Sequence, residues 1–272
     1  MNDWLKSNKC LIMGVMNITP DSFSDGGKLS TLESATDHAK KLIEEGADIL
    51  DVGGESTRPG AAPVGLQEEL DRVIPVIESL KSQFDTRVSV DTHKPEVMQA
   101  AIDVGVDMLN DVTALSNPES FAVVAKSTIP VCVMHMQGEP RTMQVSPKYD
   151  NVVLDVSRFL SSISERCIDA GINADRIIID PGLGFGKNLE HNLKLLAAVP
   201  ELCDLGFPVL IGGSRKSMIG HLLGRPVNQR MPASIALAAQ AALNGASIVR
   251  VHDVQQTFDA VRLVEAVAQY QR

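Results

Sequence analysis

Short apolar runs recur along the chain, and eight of them lead into a polar or ionisable group. They are Leu11 to Val15 before Asn17, Ile49 to Val52 before Glu55 and Arg58, Val88 to Val90 before Asp91, and Met108 to Leu109 before Asn110 and Asp111. The others are Val131 to Met134 before His135, Ile177 to Ile179 before Asp180, Val209 to Ile211 before Arg215 and Lys216, and Ile248 to Val251 before His252. Each interval leaves room for one helix. The periodicity and the Gly and Pro boundaries predict helices over Leu32 to Glu45, Leu66 to Gln83, Pro95 to Val104, Pro118 to Lys126, Val152 to Ala170, Leu189 to Leu205, Ala233 to Leu243 and Val254 to Gln269. A strand–helix unit repeated eight times reads as a single (β/α)8 TIM barrel over residues 1–272. In that fold all strand C-termini open on one face, so the polar groups converge there.

Length and composition sharpen this picture. The 272 residues lie near the roughly 250 typical of such a barrel. The chain is 44% hydrophobic but only 4% aromatic, as suits parallel strands covered on both faces by small aliphatic side chains. A net charge of -9 without a basic stripe argues against nucleic acid or an anionic membrane as partner. Cys10, Cys132, Cys167 and Cys203 are far apart, which suggests neither a disulfide framework nor a zinc site and fits a reducing cytoplasm. No apolar stretch approaches the roughly 18 to 20 residues that span a bilayer.

Three segments fit no regular element: Thr19 to Gly27, Ser56 to Gly65, and Gln137 to Lys148. Phe23, amid glycine and short polar residues, either tucks back on the barrel or closes as a lid on a planar substrate. Asn17 can offer a carbonyl oxygen to Mg²⁺, which favours oxygen ligands shared with substrate phosphates. Thr57, Arg58 and Pro59 place a hydroxyl and a guanidinium suited to phosphate beside a rigid turn, although such segments also form ordinary turns.

Asp91, Asn110 and Asp180 admit three readings: capping or internal hydrogen bonding, a metal centre, or recognition of a nitrogen-rich heterocycle. No H-x-H or H-E-x-x-H accompanies them, and Asp111 reads as structural. The segment from Asp180 to Lys187 is not a Walker loop; its glycines permit close backbone approach, and Phe185 can face a flat ligand. Gly212 to Ser217 enters a helix whose start, with Ser217, suits a carboxylate or phosphate, and Lys216 can bond ring acceptors. Arg250 and His252 alternate on one strand face and suit an anion. His135 is open between core and site, while His38, His191 and His221 read as surface positions.

Taken together, Gly14 to Asn17, Thr19 to Gly27, Gly53 to Gly60, Asp180 to Gly182, Ser214 to Ser217 and Arg250 to Asp253 resemble the bacterial dihydropteroate synthase family from the first strand to the last helix. Members of that family join 6-hydroxymethyl-7,8-dihydropterin diphosphate to p-aminobenzoate, release pyrophosphate, and are sulfonamide targets. The resemblance implies that Asp91, Asn110, Met134, Asp180, Phe185 and Lys216 bind the pterin. It implies that Asn17, Thr57, Arg58, Arg250 and His252 hold the diphosphate, with Asn17 on Mg²⁺, and that Phe23, Pro59, Phe185 and Ser217 form the aminobenzoate site. Catalysis would then rest on Asn17, Thr57, Arg58, Lys216, Arg250 and His252. A homodimer and a dissociative displacement without a protein nucleophile are expected. His93 and Leu183 depart from the family pattern. A corrinoid-dependent pterin methyltransferase would not need the first two long loops, and a silent pterin-binding module would lack Asn17, Arg58, Lys216 or His252; all four are present.

Overall fold

The computed structural model describes residues 3–7, 9–18, 28–56, 62–138 and 142–270. In chain order the strands are β1 (Leu11–Asn17), β2 (Ile49–Gly53), β3 (Arg87–Asp91), β4 (Met108–Asp111), β5 (Val131–Met134), β6 (Ile177–Asp180), β7 (Leu210–Ile211) and β8 (Ile248–Val251). The helices are α1 (Lys28–Glu44), α2 (Leu66–Gln83), α3 (Pro95–Asp103), α4 (Pro118–Lys126), α5 (Val152–Asp169), α6 (Leu189–Ala197), α7 (Val199–Cys203), α8 (Ser217–Leu223), α9 (Met231–Leu243) and α10 (Val254–Ala268). All strand pairs are parallel, in the order β6-β5-β4-β3-β2-β1-β8-β7. A parallel bridge between Ile179 and Val209, with the Ile179 N–H donating to the Pro208 carbonyl at 2.9 Å, joins β6 to the approach of β7 and closes the barrel. This is the expected TIM barrel.

Local chemistry sets the helix boundaries. Asn117 and Asn151 accept from backbone N–H groups at the starts of α4 and α5, and Asn188 with His191 forms a reciprocal capping box on α6. Pro95 and Pro118 occupy first turns, where a missing N–H costs no helical bond. The single helix expected over Leu189 to Leu205 is in fact two. Pro200 cannot donate to a preceding turn, so α6 ends at Ala197 and α7 restarts with that proline in its first turn. A short extra helix, α8, follows β7 and ends on Gly224 in the left-handed region.

Alternation along the strands divides two cores. Ile12, Leu50, Val88, Val90, Leu109 and Val131 face the helices. Leu11, Met13, Ile49, Met108, Cys132, Ile178, Leu210 and Ile248 form a separate cluster that fills the lower barrel, with Leu5 and Trp4 packed against it. The Arg87 guanidinium lies 5.1 Å from the Trp4 ring centre. Above this plug the same inward face turns polar, so the plug is the dry base on which the mouth is built.

Met108→Ala would open a cavity in that plug and lower stability by about 2–5 kcal/mol. Val145→Ala, at a side chain 78% exposed, would change it by less than about 0.5 kcal/mol. Urea unfolding of the two variants checks this; equal losses would contradict a packed barrel interior.

Candidate functional site

Asp51 on β2, Asp91 on β3, Asn110 on β4, Asp180 on β6 and Arg250 on β8 stand one step above the apolar plug on the same period-two face. Arg250 links them. Its Nε donates to Asp51 Oδ2 at 2.6 Å and its Nη2 to Asp91 Oδ2 at 2.8 Å. Asn110 Nδ2 also donates to Asp51 Oδ2, at 3.3 Å. Burial pushes the Asp91 carboxyl up to about 7; Arg250 opposes this, while Asp51, Asp111 and Glu69 reinforce it. Asp180 is likewise raised by burial, against its hydrogen bond from the Gly182 N–H at 2.6 Å and the nearby cations Lys216, Lys187 and Arg250.

The loop after β6 folds tightly over the end of β5. Gly182 has φ +68, and a Cβ there would lie 2.0 Å from the His135 carbonyl oxygen; at Gly186, φ +63, it would lie 2.4 Å from that of Gln137. Only glycine fits these approaches without displacing backbone. The loop thereby carries Phe185 into a cluster with Val112, Met134 and Met143, which makes an apolar wall beside the polar floor. Lys216 Nζ stands 3.9 Å from the Phe185 ring centre, within cation–π range. Burial lowers its ammonium to about 8; the Arg250 charge acts the same way, against Asp180 and Asp91. An apolar wall facing carboxylates, an amide and cations suits a flat ligand with nitrogen donors along its edge.

At the rim, Asn17 ends β1 on the inner face, paired in register with Gly53. His252 follows β8, with Nδ1 3.0 Å from Ser214 Oγ and its backbone N–H 3.3 Å from the same oxygen. Ser217, exposed, opens α8 directly after Lys216. Phe23, Thr57, Arg58 and Pro59 lie outside the described residues.

Several strand-end groups turn away from the mouth. Arg215, in the left-handed region at φ +57, is paired through Nε with Asp253 Oδ2 at 3.1 Å and ties the turn after β7 to the start of α10. Glu55 joins Glu69 on the Lys94 ammonium at the root of the loop after β2. Asp111 is structural, accepting from the Thr113 N–H and hydroxyl, each at 2.7 Å, and from the Leu115 N–H at 2.8 Å. His135 belongs to the core. Its ring is edge-on to Phe159 at 4.9 Å between ring centres, its Nδ1 is 2.9 Å from Lys187 Nζ, and burial beside that lysine lowers it to about 3.

Two residues escaped the sequence reading. Asp51 lies inside an apolar run, although the spacing Ile49-Leu50-Asp51-Val52-Gly53 puts it on the inner face. Lys187 is buried, and its amine donates to the carbonyls of His135 at 3.2 Å and Phe185 at 2.9 Å, holding the glycine loop closed from behind. Nothing in the local pattern separates that lysine from a surface one. Among the described residues no group of three or more His, Cys, Asp or Glu is placed to hold a metal ion by itself.

A family model described as pterin binding enzyme matches residues 13–252. An Escherichia coli protein named dihydropteroate synthase is 51% identical over 255 residues, covering 94% of this chain and 90% of the relative. The Yersinia pestis dihydropteroate synthase, solved as a sulfonamide drug complex, superposes with a TM-score of 0.91 at 49% identity, over 97% of this chain and 96% of that one. The Xanthomonas albilineans enzyme matches in its complexes with 4-aminobenzoic acid (TM-score 0.90, 51% identity) and with 7,8-dihydropteroate (TM-score 0.87, 48% identity), each over 96% of this chain and 94% of that one.

The depressed Lys216 ammonium has a measurable signature. The folded protein binds fewer protons than the unfolded chain between pH about 8 and the usual 10.5, so the lysine's contribution to stability rises with pH across that window. Lys216→Met should flatten that part of the stability–pH curve relative to the unsubstituted protein. Parallel curves would contradict a buried ammonium.

Proposed function

The chain belongs to the dihydropteroate synthases, within the pterin-binding enzymes, and we propose that its barrel mouth forms 7,8-dihydropteroate by a dissociative displacement on the residues set out above. The observation that carries this reading is the five-membered polar floor facing the Phe185–Met134 wall. Asp180, Asp91 and Asn110 present acceptors to the ring N–H and amino groups of a pterin, and the amide also offers a donor to a ring acceptor. Lys216 bonds the ring acceptors, and Met134 and Phe185 cover its face. Beyond the ring, Thr57, Arg58, His252 and the remaining edge of Arg250 take the diphosphate, with Asn17 beside them.

The donor chemistry at the rim fits Mg²⁺. Asn17 offers one hard oxygen, and the want of a carboxylate–histidine cluster among the described residues suits an ion that keeps its waters and shares substrate phosphates. Asn17 would hold it, and the ion would add positive charge where the diphosphate departs. The chain's own donors serve the same end: the guanidiniums of Arg58 and Arg250 and the His252 ring favour charge developing on the leaving group. As the C–O bond breaks and its electron pair leaves with pyrophosphate, the electron-rich ring can bear a cation at its exocyclic methylene; the arylamine nitrogen attacks it from a seat formed by Phe23, Pro59, Phe185 and Ser217 and gives up one proton to pyrophosphate or solvent. This reading gives the closed barrel floor a role in excluding water from that cation.

A homodimer is supported by exposed apolar side chains toward the ends of two adjacent helices, Leu243 on α9 and Leu263 and Val267 on α10. Helices α9 and α10 pack together and would present this face to a second copy. Four free cysteines accord with a cytoplasmic enzyme. Among the described residues no helix is long and apolar enough to cross a membrane.

The test is to incubate the purified protein with the pterin diphosphate, Mg²⁺ and p-aminobenzoate. Sustained pyrophosphate release with formation of 7,8-dihydropteroate should require the amine, cease with EDTA and return with added Mg²⁺. Rapid quenching should recover no protein–pterin adduct, including at Ser214 beside His252. A stoichiometric adduct would overturn the dissociative step, and sustained pyrophosphate release that yields no 7,8-dihydropteroate in the presence of the amine would overturn the synthase reading of this mouth.

A further inference from the structure

Asp51 has no part in the substrate contacts set out above, yet it is the carboxylate to which two of the floor residues are bonded. It is wholly buried in the middle of β2. Its Oδ2 accepts from both Arg250 Nε and Asn110 Nδ2, while its Oδ1 is buried without a hydrogen-bond partner among the described residues. An ionised carboxylate only accepts, so it dictates how its neighbours turn. A side-chain amide can present either end to a ligand, and the two orientations read opposite ring edges. With Nδ2 drawn to Asp51, Asn110 keeps its carbonyl oxygen and one N–H for the mouth. Arg250 is fixed as well: its Nε and Nη2 are committed to Asp51 and Asp91, which sets the plane of the guanidinium and leaves Nη1.

We propose that Asp51 is a positioning residue for the heterocycle, holding one orientation of the Asn110 amide and one plane of the Arg250 guanidinium, and thereby deciding which ring edge the floor accepts. This rests on the pterin reading above and deepens it. The charges on the floor support it. Asp51, Asp91 and Asp180 face Arg250 and Lys216, so removal of the Asp51 charge leaves two carboxylates against two cations. Arg250 then keeps Asp91 as its partner. The groups that bear on Asp91 are Arg250, Asp51, Asp111 and Glu69, and Asp51 is the one of these carboxylates that shares the Arg250 fork. Without its charge, Asp91 ionises at lower pH.

Asp51→Asn tests the proposal, because it keeps volume while the oxygen that accepts from both donors loses its charge and the amide nitrogen beside it adds a competing donor to the floor. Pterin diphosphate affinity, measured by calorimetry, should fall about ten- to a hundredfold, as expected for a lost bond to a charged group. The KM for p-aminobenzoate should stay within about twofold, since the hydrogen bonds of Asp51 go to Arg250 and Asn110 and to none of the residues assigned to that seat. The unfolding midpoint should be kept, and the acid limb of pterin binding should move to lower pH, which a merely structural role would not produce. Unchanged pterin affinity and pH profile in the variant, with the unsubstituted protein binding normally, would overturn this proposal alone. Failure of the unsubstituted protein to bind would overturn the functional reading and this proposal with it. Nitrogen-15 NMR of the unsubstituted, ligand-free protein gives a second test that needs no variant. The Arg250 Nε–H and one Asn110 amide proton should be protected from exchange, and rapid exchange of both would overturn the proposal.

Discussion

Arg250 reaches from β8 across the inner face of β1 to carboxylates on β2 and β3, and the mouth of the barrel is organised around that reach. An unpaired guanidinium in this position would carry a desolvation penalty of several kcal/mol. Two acceptors in fork geometry offset it, and they draw three strands into one polar layer. Burial raises the Asp91 and Asp180 carboxyls and lowers the Lys216 ammonium, and the opposite charges beside each group work against that shift. The floor is therefore set before any ligand arrives, which is the condition for reading a heterocycle edge rather than adapting to it.

The wall depends on a different device. Gly182 and Gly186 let the loop after β6 lie against the end of β5, and Lys187 bonds two carbonyls from behind it. Phe185 is thus carried over the mouth, where Lys216 meets its face. The strap between Arg215 and Asp253 fixes the turn from which Lys216 projects. Floor and wall are built by separate parts of the chain and meet at Lys216, so that lysine senses both the carboxylates and the ring.

Much of this was legible in the sequence, because parallel strands buried on both faces give continuous apolar runs and their last residue faces the mouth. Asp91, Asn110 and Asp180 are found where that rule puts them, and Arg250 where its alternation with His252 does. The rule fails in identifiable ways. Asp51 sits one pleat below a strand end, so attention to the polar residue after each run passes over it. Arg215 and Glu55 follow runs as the rule requires, but a left-handed turn and the Lys94 ammonium direct them elsewhere. Lys187 and His135 form a buried pair through contacts that span 52 residues, which no local pattern encodes. The break at Pro200 was legible and was outweighed by the apolar periodicity on either side. Thr57, Arg58, Phe23 and Pro59 fall outside the described residues, so their placement at the rim rests on the family resemblance alone.

The central claim is that a preformed polar floor binds the pterin. Calorimetric titration of pterin diphosphate into the unsubstituted protein and into Asp180→Asn tests it most directly. An asparagine oxygen can still accept from the Gly182 N–H, so the loop keeps its anchor while the charge toward the ligand is lost. The account predicts at least about a tenfold loss of affinity with the unfolding midpoint retained; equal affinity in the two proteins would contradict it.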